Sequence, residues 1–148
     1  MALEFLVQAQ VAKPRGEVFD AVYNPDKLSK YFTTAGSGGA LREGSKVIWR
    51  FADYPGDIAV SVGKVLPNEL IVFEWAAEDA ASGYNTRVEI AFESKTPTVT
   101  LVKITESGWR ETPKGLTSSY NNCQGWMNMA CCLKAWLEYG INLREGFF

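Results

Sequence analysis

The chain has 148 residues, which is long enough to bury a substantial core, and we expect a single domain spanning residues 1–148. An apolar fraction of 47% with 13% aromatic residues is typical of a folded globular protein. The net charge of −2 and the scattered Lys and Arg residues argue against nucleic acid as a partner, and no stretch approaches the ~20 apolar residues that membrane insertion requires.

The chain contains no histidine and three cysteines. Without His, the Ser-His-Asp and Cys-His triads and the usual zinc and iron sites are excluded. Cys123 and the neighbours Cys131 and Cys132 fall on one predicted helix, about 12 Å apart along its axis, which is too far for a disulfide. We therefore expect no metal site and no cofactor, and a cytoplasmic location, because the N-terminus has no basic signal region.

The first predicted elements are one strand and two short helices. Residues 3–11 alternate as a strand, and Pro14 is well placed in the first turn of a helix that ends at Asn24-Pro25-Asp26. Residues 28–32 predict a second short helix or turn. The run Gly36-Ser37-Gly38-Gly39 lacks the Lys and Ser/Thr of a phosphate-binding loop, so we expect a mobile loop or bend there.

From Leu41 onward, apolar residues alternate with polar ones, which predicts five or six strands. Short connections require neighbouring strands to pair antiparallel. Residues 53–57 predict a turn, Gly63 a bulge, and residues 78–83 a loop. The positions expected to share inner faces are Val47, Trp49, Phe51, Ile58, Val60, Val62, Ile71, Phe73, Trp75, Thr86, Val88, Ile90 and Phe92.

A long helix is predicted over residues 120–144, which contain no proline. Its apolar residues form two adjacent stripes, whereas a helix on a flat core needs only one. Two stripes predict a concave partner, and a curved antiparallel sheet is the element available to provide it. The first stripe holds Cys123, Met127, Ala130, Leu137 and Ile141, and the second holds Trp126, Met129, Leu133 and Trp136.

Four segments, in order along the chain, carry a resemblance to a known family. They are residues 14–28, Leu41-Arg42-Glu43-Gly44-Ser45, residues 63–75, and Gly125-Trp126 with residues 133–138. They resemble the Hsp90 ATPase activator homologue 1-like family of the START-like (SRPBCC, Bet v 1-like) superfamily. The resemblance implies an α+β helix-grip fold: a curved antiparallel sheet of six to seven strands wrapped around a long C-terminal helix, with two short helices after the first strand.

In a fold of this kind, a hollow between the second helix stripe and the inner strand faces would be lined by large apolar side chains. Aromatic and methionine side chains suit flat or flexible apolar ligands, and the same side chains also suit plain core packing. Phe32 and Trp109 are expected at a rim. The predicted ligand-binding residues are Trp49, Phe51, Phe73, Trp75, Val88, Ile90, Trp109, Trp126, Met129 and Leu133.

Three functions fit these features, and binding of a hydrophobic or lipid-like small molecule without turnover fits best. The second is a stress-linked, co-chaperone-like interaction module, with a chaperone partner or a homodimer contact at Phe147 and Phe148. The third is a polyketide cyclase-like enzyme that uses Tyr84 or Arg87. We assign no catalytic residue, because the family has no shared catalytic set and the missing histidine disfavours an enzyme.

Overall fold

The computed structural model describes residues 1–78 and 83–148, and these form one antiparallel sheet and three helices. The strands are β1 (Leu3–Val11), β2 (Gly36–Ser37), β3 (Lys46–Phe51), β4 (Tyr54–Leu66), β5 (Leu70–Ala76), β6 (Asn85–Thr96) and β7 (Val99–Trp109). The helices are α1 (Arg15–Tyr23), α2 (Pro25–Leu28) and α3 (Pro113–Tyr139). The strand order β1-β7-β6-β5-β4-β3-β2, with two short helices after β1 and a long helix after β7, confirms the helix-grip fold.

The opening of the chain matches the sequence prediction. Strand β1 has the predicted bounds, and Pro14 precedes α1 as its N-cap. The Asn24 side chain accepts the N–H of Asp26 at 3.0 Å and caps α2, so the break between the helices has a local cause. Tyr31 donates its hydroxyl to the Ala21 carbonyl at 2.9 Å, which holds the segment after α2 against α1.

Alternation along the strands places one face in the core. Val47, Trp49 and Phe51 of β3 are buried while the residues between them are more exposed, and β6 repeats the pattern from Thr86 to Phe92. The register of β4 against β5 shifts between Val62 and Val65, which confirms a bulge at Gly63. We call the face that carries these buried side chains and α3 the inner face.

Two predicted connections differ from the structure. Gly36 and Ser37 form β2 and pair with Arg50 and Trp49, because β3 would otherwise leave its outer backbone groups unpaired. The predicted turn at residues 53–57 is shorter than expected, since β4 already begins at Tyr54. Of the predicted loop at 78–83, residues 79–82 lie outside the described residues.

Helix α3 begins and ends earlier than the sequence predicted. Thr112 accepts the N–H of Gly115 at 3.0 Å and Pro113 follows it, so a strong N-terminal signal lies within residues that were expected to be a connection. Gly140, with φ of 66°, ends the helix. Within the described chain, no helix combines the length and apolar character needed to cross a membrane.

Most of the second apolar stripe of α3 is packed on the sheet, whereas the first stripe is packed only in part. Trp126, Met129 and Leu133 are buried, whereas Met127 of the first stripe is 38% exposed and Ile141 is 52% exposed. Ala130 of the first stripe is nevertheless buried, and Cys123 and Leu137 pack against the core. The prediction of two gripped stripes is therefore met in part, since Met127 and Ile141 of the first stripe are not covered by the sheet.

Polar contacts fix α3 against the first strand. Lys134 donates to the Gln10 carbonyl at 2.8 Å, and Glu138 accepts the N–H of Ala12 at 3.2 Å. The hydrogen bond from Lys134 is the main reason that the pKa of Glu138 lies below its ordinary value. These contacts hold the Trp126 face of the helix over the inner face of the sheet.

Candidate ligand-binding site

The predicted wall residues meet in one core, with one exception. Trp49, Phe51, Phe73, Val88, Ile90, Trp126, Met129 and Leu133 belong to a single buried cluster, and Trp75 packs against it. Trp109 lies apart at the end of β7, where it stacks on Phe5 at 5.6 Å and donates its indole N–H to Ser118 at 3.1 Å. As ligand contacts, all ten residues stay a prediction.

Six aromatic rings form the centre of this core, and we call them the aromatic cluster. Its members are Phe32, Trp49, Phe51, Phe73, Trp75 and Trp126. Phe32, which was expected at a rim, is central, since its ring lies 5.6 Å from Trp49, 4.9 Å from Phe51 and 5.8 Å from Trp126. Most neighbouring rings meet edge to face, as aromatic pairs prefer.

One end of the aromatic cluster is closed by the fully buried carboxylate of Glu106 on β7. Its Oε2 accepts from Trp75 Nε1 at 2.9 Å and from Thr86 Oγ1 at 2.7 Å. Its Oε1 accepts from Trp126 Nε1 at 2.8 Å, and Asn122 Nδ2 reaches both oxygens, at 3.2 and 3.0 Å. These five residues are the Glu106 cluster, in which every carboxylate oxygen has donors and two indole rings are fixed in orientation.

Sequence reasoning missed Glu106. It follows Thr100, Val102 and Ile104 at alternate positions of β7, so it occupies an inward-facing position opposite Val88 of β6. The signal available in the sequence was an acidic residue at a position of β7 that alternation assigns to the buried face. The irregular apolar pattern of β7 obscured it, because Leu101 on the opposite face is also buried.

The other end of the aromatic cluster is closed by Arg144, in the segment that follows α3. Its guanidinium lies 4.8 Å from the centre of the Phe51 ring and 5.4 Å from that of Phe32. It donates to Asp53 Oδ1 at 2.8 Å through Nη2 and approaches Asn128 Oδ1 at 3.5 Å through Nη1. These five residues are the Arg144 cluster.

Several buried polar atoms among the described residues have no protein partner, and two of them, Asn128 Nδ2 and Arg144 Nε, belong to the Arg144 cluster. Within residues 1–78 and 83–148, these atoms are Trp49 Nε1, Asn128 Nδ2, Asn142 Oδ1 and Arg144 Nε. A buried donor or acceptor that lacks a partner costs ~1–3 kcal/mol, so such groups are uncommon in a core that serves only stability. The tryptophans of the Glu106 cluster, by contrast, have both indole N–H groups paired.

The titratable neighbours of the Arg144 cluster are neutral. Burial raises the pKa of Cys132 to about 11, an effect that the positive charge of Arg144 partly opposes. Burial also raises the pKa of Tyr31 well above its ordinary value. The Cys132 thiol contacts Asn128 Oδ1 at 3.6 Å. Arg144 and Asp53 form the ion pair of this cluster, with the Arg144 side chain 10% and the Asp53 side chain 22% exposed.

A surface cleft of about 450 Å³ adjoins the Arg144 cluster. It is lined by Ala35 and residues 50–57, which include Phe51 and the Asp53 carboxylate. A second cleft of about 650 Å³ lies between α2 and β2, away from the predicted walls. Phe51 and Asp53 of the Arg144 cluster therefore lie at the wall of the first cleft.

The remaining polar candidates lie elsewhere. Arg87 and Glu89 form an exposed ion pair at 2.7 Å on the face of β6 opposite Val88 and Ile90, which confirms that they are solvated. The Tyr84 hydroxyl accepts the backbone N–H of Arg110 at 3.1 Å. Among the described residues, no group of Cys, Asp and Glu is arranged to hold a metal ion.

Solved structures with the same architecture come from several organisms. The protein SSP2350 of Staphylococcus saprophyticus is 26% identical over 95% of this chain and 96% of its own, with a TM-score of 0.79. An Aha1 dimer from Colwellia psychrerythraea is 25% identical over 93% of this chain and 97% of its own, with a TM-score of 0.76. An HSP90 activator from Plasmodium falciparum, 19% identical over 93% of this chain and 96% of its own, shares the fold with a TM-score of 0.71.

Sequence comparison agrees with the fold. No curated protein sequence matches the chain. The family model described as "Activator of Hsp90 ATPase homolog 1-like protein" matches residues 12–138, which include α1, the strands from β2 to β7 and almost all of α3. The chain therefore belongs to the Activator of Hsp90 ATPase homolog 1-like protein family.

Proposed function

We propose that this protein binds an apolar or amphipathic small molecule between the inner face of the sheet and α3, without turning it over. The walls are the aromatic cluster together with Val88, Ile90, Met129 and Leu133, and all of them except the partly buried Trp75 are buried. Large aromatic rings provide most of the binding area in sites of this kind, and a methionine adapts to the shape of the ligand.

The observation that carries the proposal is the indole N–H of Trp49. Trp49 is 1% exposed, its ring contacts Phe32, Phe73 and Trp75, and its Nε1 has no partner in the described structure. A ligand that places one acceptor atom beside this N–H would satisfy a donor that the protein leaves unpaired. The few polar groups of an apolar pocket orient the ligand in this way.

Entry is proposed from the cleft beside Phe51. In the described structure the rings of the aromatic cluster contact one another, so binding requires some of them to move apart. Phe51 lines the cleft, Phe51 and Phe32 are the rings of the aromatic cluster that contact Arg144, and the segment that carries Arg144 lies outside α3 and the sheet. Moving that segment would open the cluster without breaking the strand pairs.

Native mass spectrometry tests the proposal. The protein is incubated with decanol, decanoate, decylamine and naphthol, and we expect a one-to-one complex with at least one of them. Met129→Trp adds volume to a buried wall position and so competes with the ligand for the space that ring movement would open; it should abolish the complex, whereas Met129→Leu, which nearly conserves volume, should retain it. Circular dichroism checks that both variants are folded. The proposal is wrong if no probe binds or if a folded Met129→Trp variant still binds.

A protein-interaction function is the second candidate, and exposed apolar side chains favour it. Tyr120 is 67% exposed on α3, and Phe147 and Phe148 are 51% and 61% exposed. Patches of this kind often mark interaction sites. The Plasmodium falciparum structure is described as an HSP90 activator and the Colwellia psychrerythraea structure as a dimer. Stimulation of a chaperone ATPase by this protein, lost in Phe147→Ala/Phe148→Ala, would support this candidate; a monomeric mass without stimulation would exclude it.

No observation favours the cyclase-like candidate. Arg87 lies on the outer face of the sheet, paired with Glu89, and is too far from the inner face to handle a proton there. Glu106, the acidic residue that does reach the interior, is held by Trp75, Thr86, Asn122 and Trp126. We assign no catalytic residue.

A further inference from the structure

The Arg144 cluster places a cation and unpaired donors beside the apolar core. We propose that this cluster binds the carboxylate head group of an amphipathic ligand, whose apolar part lies in the aromatic cluster. This inference rests on the proposed function and adds the chemical class of the ligand.

The unpaired groups of this cluster are suited to an anionic acceptor. Asn128 is 5% exposed and the Arg144 side chain is 10% exposed, so both are at least nine-tenths buried. Among the described residues, Asn128 Nδ2 and Arg144 Nε have no hydrogen-bond partner, and both atoms are donors. One buried acceptor, Asn142 Oδ1, is also unpaired and contributes nothing to binding an anion.

The guanidinium of Arg144 is only partly used. A carboxylate and an arginine commonly pair through two parallel N–H···O bonds. Asp53 takes one of these, from Nη2 at 2.8 Å, while the neighbouring Nε is left unpaired. Asp53 therefore shows that a carboxylate fits beside Arg144, and the unpaired Nε shows that this carboxylate does not complete the bidentate pair.

Asp53 can leave this site at modest cost. Its side chain is 22% exposed and lines the cleft, whereas Arg144 is the more buried partner. A ligand carboxylate entering from the cleft would replace Asp53 beside Arg144, and Asp53 would turn toward water. The cluster would keep one positive and one negative charge, so exchange would leave no buried charge unpaired.

At the opposite end of the aromatic cluster, no comparable site is free to bind a cationic head group. The Glu106 oxygens already accept from Trp75, Thr86, Asn122 and Trp126. A ligand ammonium would have to displace these donors and leave them buried without partners. The order of affinity expected for ligands with equal tails is therefore carboxylate, then alcohol, then amine.

Isothermal titration at neutral pH with decanoate, decanol and decylamine, below their aggregation limits, tests the inference. We expect decanoate to bind at least about tenfold more tightly than decanol, because one charge-assisted hydrogen-bond pair separates them. Arg144→Met should remove this preference while keeping decanol binding. Asp53→Asn should strengthen decanoate binding, because the competing carboxylate is gone. Arg87→Met, an equal charge change on the outer face, is the control and should leave the preference unchanged.

The outcomes separate the two proposals. Equal binding of decanoate and decanol by the wild-type protein, or a preference that persists in folded Arg144→Met, would overturn the carboxylate site and leave the proposed function in place. If none of the three compounds binds, both proposals are wrong. Should Arg144→Met fail to fold, Asp53→Asn decides alone, and weaker or unchanged decanoate binding would overturn the inference.

Discussion

Two charged side chains bound the aromatic cluster, and their surroundings differ in how well polar groups are paired. Glu106 is completely buried and receives hydrogen bonds from β5, β6 and α3. Arg144 comes from the segment after α3, bonds to an aspartate at a cleft, and lies near donors that have no protein partner. Rings 5 to 6 Å apart connect the two ends, from Trp126 to Phe32 at 5.8 Å and from Phe32 to Phe51 at 4.9 Å.

We interpret this difference as a distinction between buried polar groups that stabilise the fold, at Glu106, and buried polar groups that would bind the proposed ligand, at Arg144. A saturated buried charge joins the elements that donate to it, and losing any donor is costly. Unpaired buried donors lower stability, and the proposed ligand would compensate for those of the Arg144 cluster. The same apolar core can thus be locked at the Glu106 end and adaptable at the Arg144 end, provided that the polar groups are distributed as they are here.

The largest expected effect is on the Glu106 cluster. Glu106→Ala leaves the donors of Trp75, Thr86, Asn122 and Trp126 buried without an acceptor, and we expect the free energy of unfolding to fall by about 3–5 kcal/mol. Urea unfolding measures it. Glu89→Ala removes an exposed carboxylate from β6 and should change stability by no more than about 1 kcal/mol. Similar losses in the two variants would mean that the Glu106 cluster does not join sheet and helix.

A pH effect of intermediate size belongs to the Arg144 end. Burial raises the pKa of Cys132 from 9.0 to about 11, so between these values the folded state keeps a proton that the unfolded chain releases. Stability should therefore be unaffected by this thiol below pH 9 and should fall by about 2–3 kcal/mol as pH rises toward 11. The raised pKa of Tyr31 acts in the same direction from about pH 10, the ordinary pKa of a tyrosine, upward.

Adjacent cysteines provide the control for this pH effect. Unfolding is measured at several pH values from 7 to 11 for the wild type, Cys132→Ala and Cys131→Ala. Cys132→Ala should reduce the decline between pH 9 and 11, whereas Cys131→Ala, at an exposed position, should leave most of it. An identical decline in all three proteins would show that the Cys132 thiol is not held protonated by the fold.

The smallest expected effect compares two tryptophans. Trp126→Phe removes a donor to Glu106, whereas Trp49→Phe removes an N–H that has no protein partner. Both substitutions lose similar ring volume, so the Trp126 variant should be less stable than the Trp49 variant by about 1–2 kcal/mol. Thermal and urea unfolding give this difference. Equal destabilisation would mean that polar pairing does not distinguish the two ends.

The fold was predictable because its signals are local. Alternation in β3 and β6, Pro14 before α1 and the bulge at Gly63 each depend on residues close together in the chain. Strand β2 was missed because its pairing with β3, rather than its own glycine-rich sequence, makes it a strand. The early start of α3 was missed because Thr112 and Pro113 were assigned to a connection.

Both charged ends were beyond sequence reasoning for a physical reason. Glu106 is bonded to residues 20 and 31 positions away, and Arg144 to Asp53, 91 positions away. Asp53 read as a turn former and Arg144 as the end of a helix, and neither local pattern signals such distant pairing. The aromatic walls were predicted because strand and helix periodicity fix which side chains point inward.

The indole N–H resonances of the tryptophans test the central claim most directly, through two-dimensional proton–nitrogen NMR of labelled protein titrated with decanoate. Single Trp→Phe variants assign the resonances. We predict that the Trp49 resonance shifts most as decanoate enters the aromatic cluster, because no protein acceptor holds its N–H, while those of Trp75 and Trp126 move less because Glu106 retains them. A Trp49 resonance that stays fixed at saturating decanoate, or equal shifts at all three tryptophans, would contradict the account of one locked and one adaptable end.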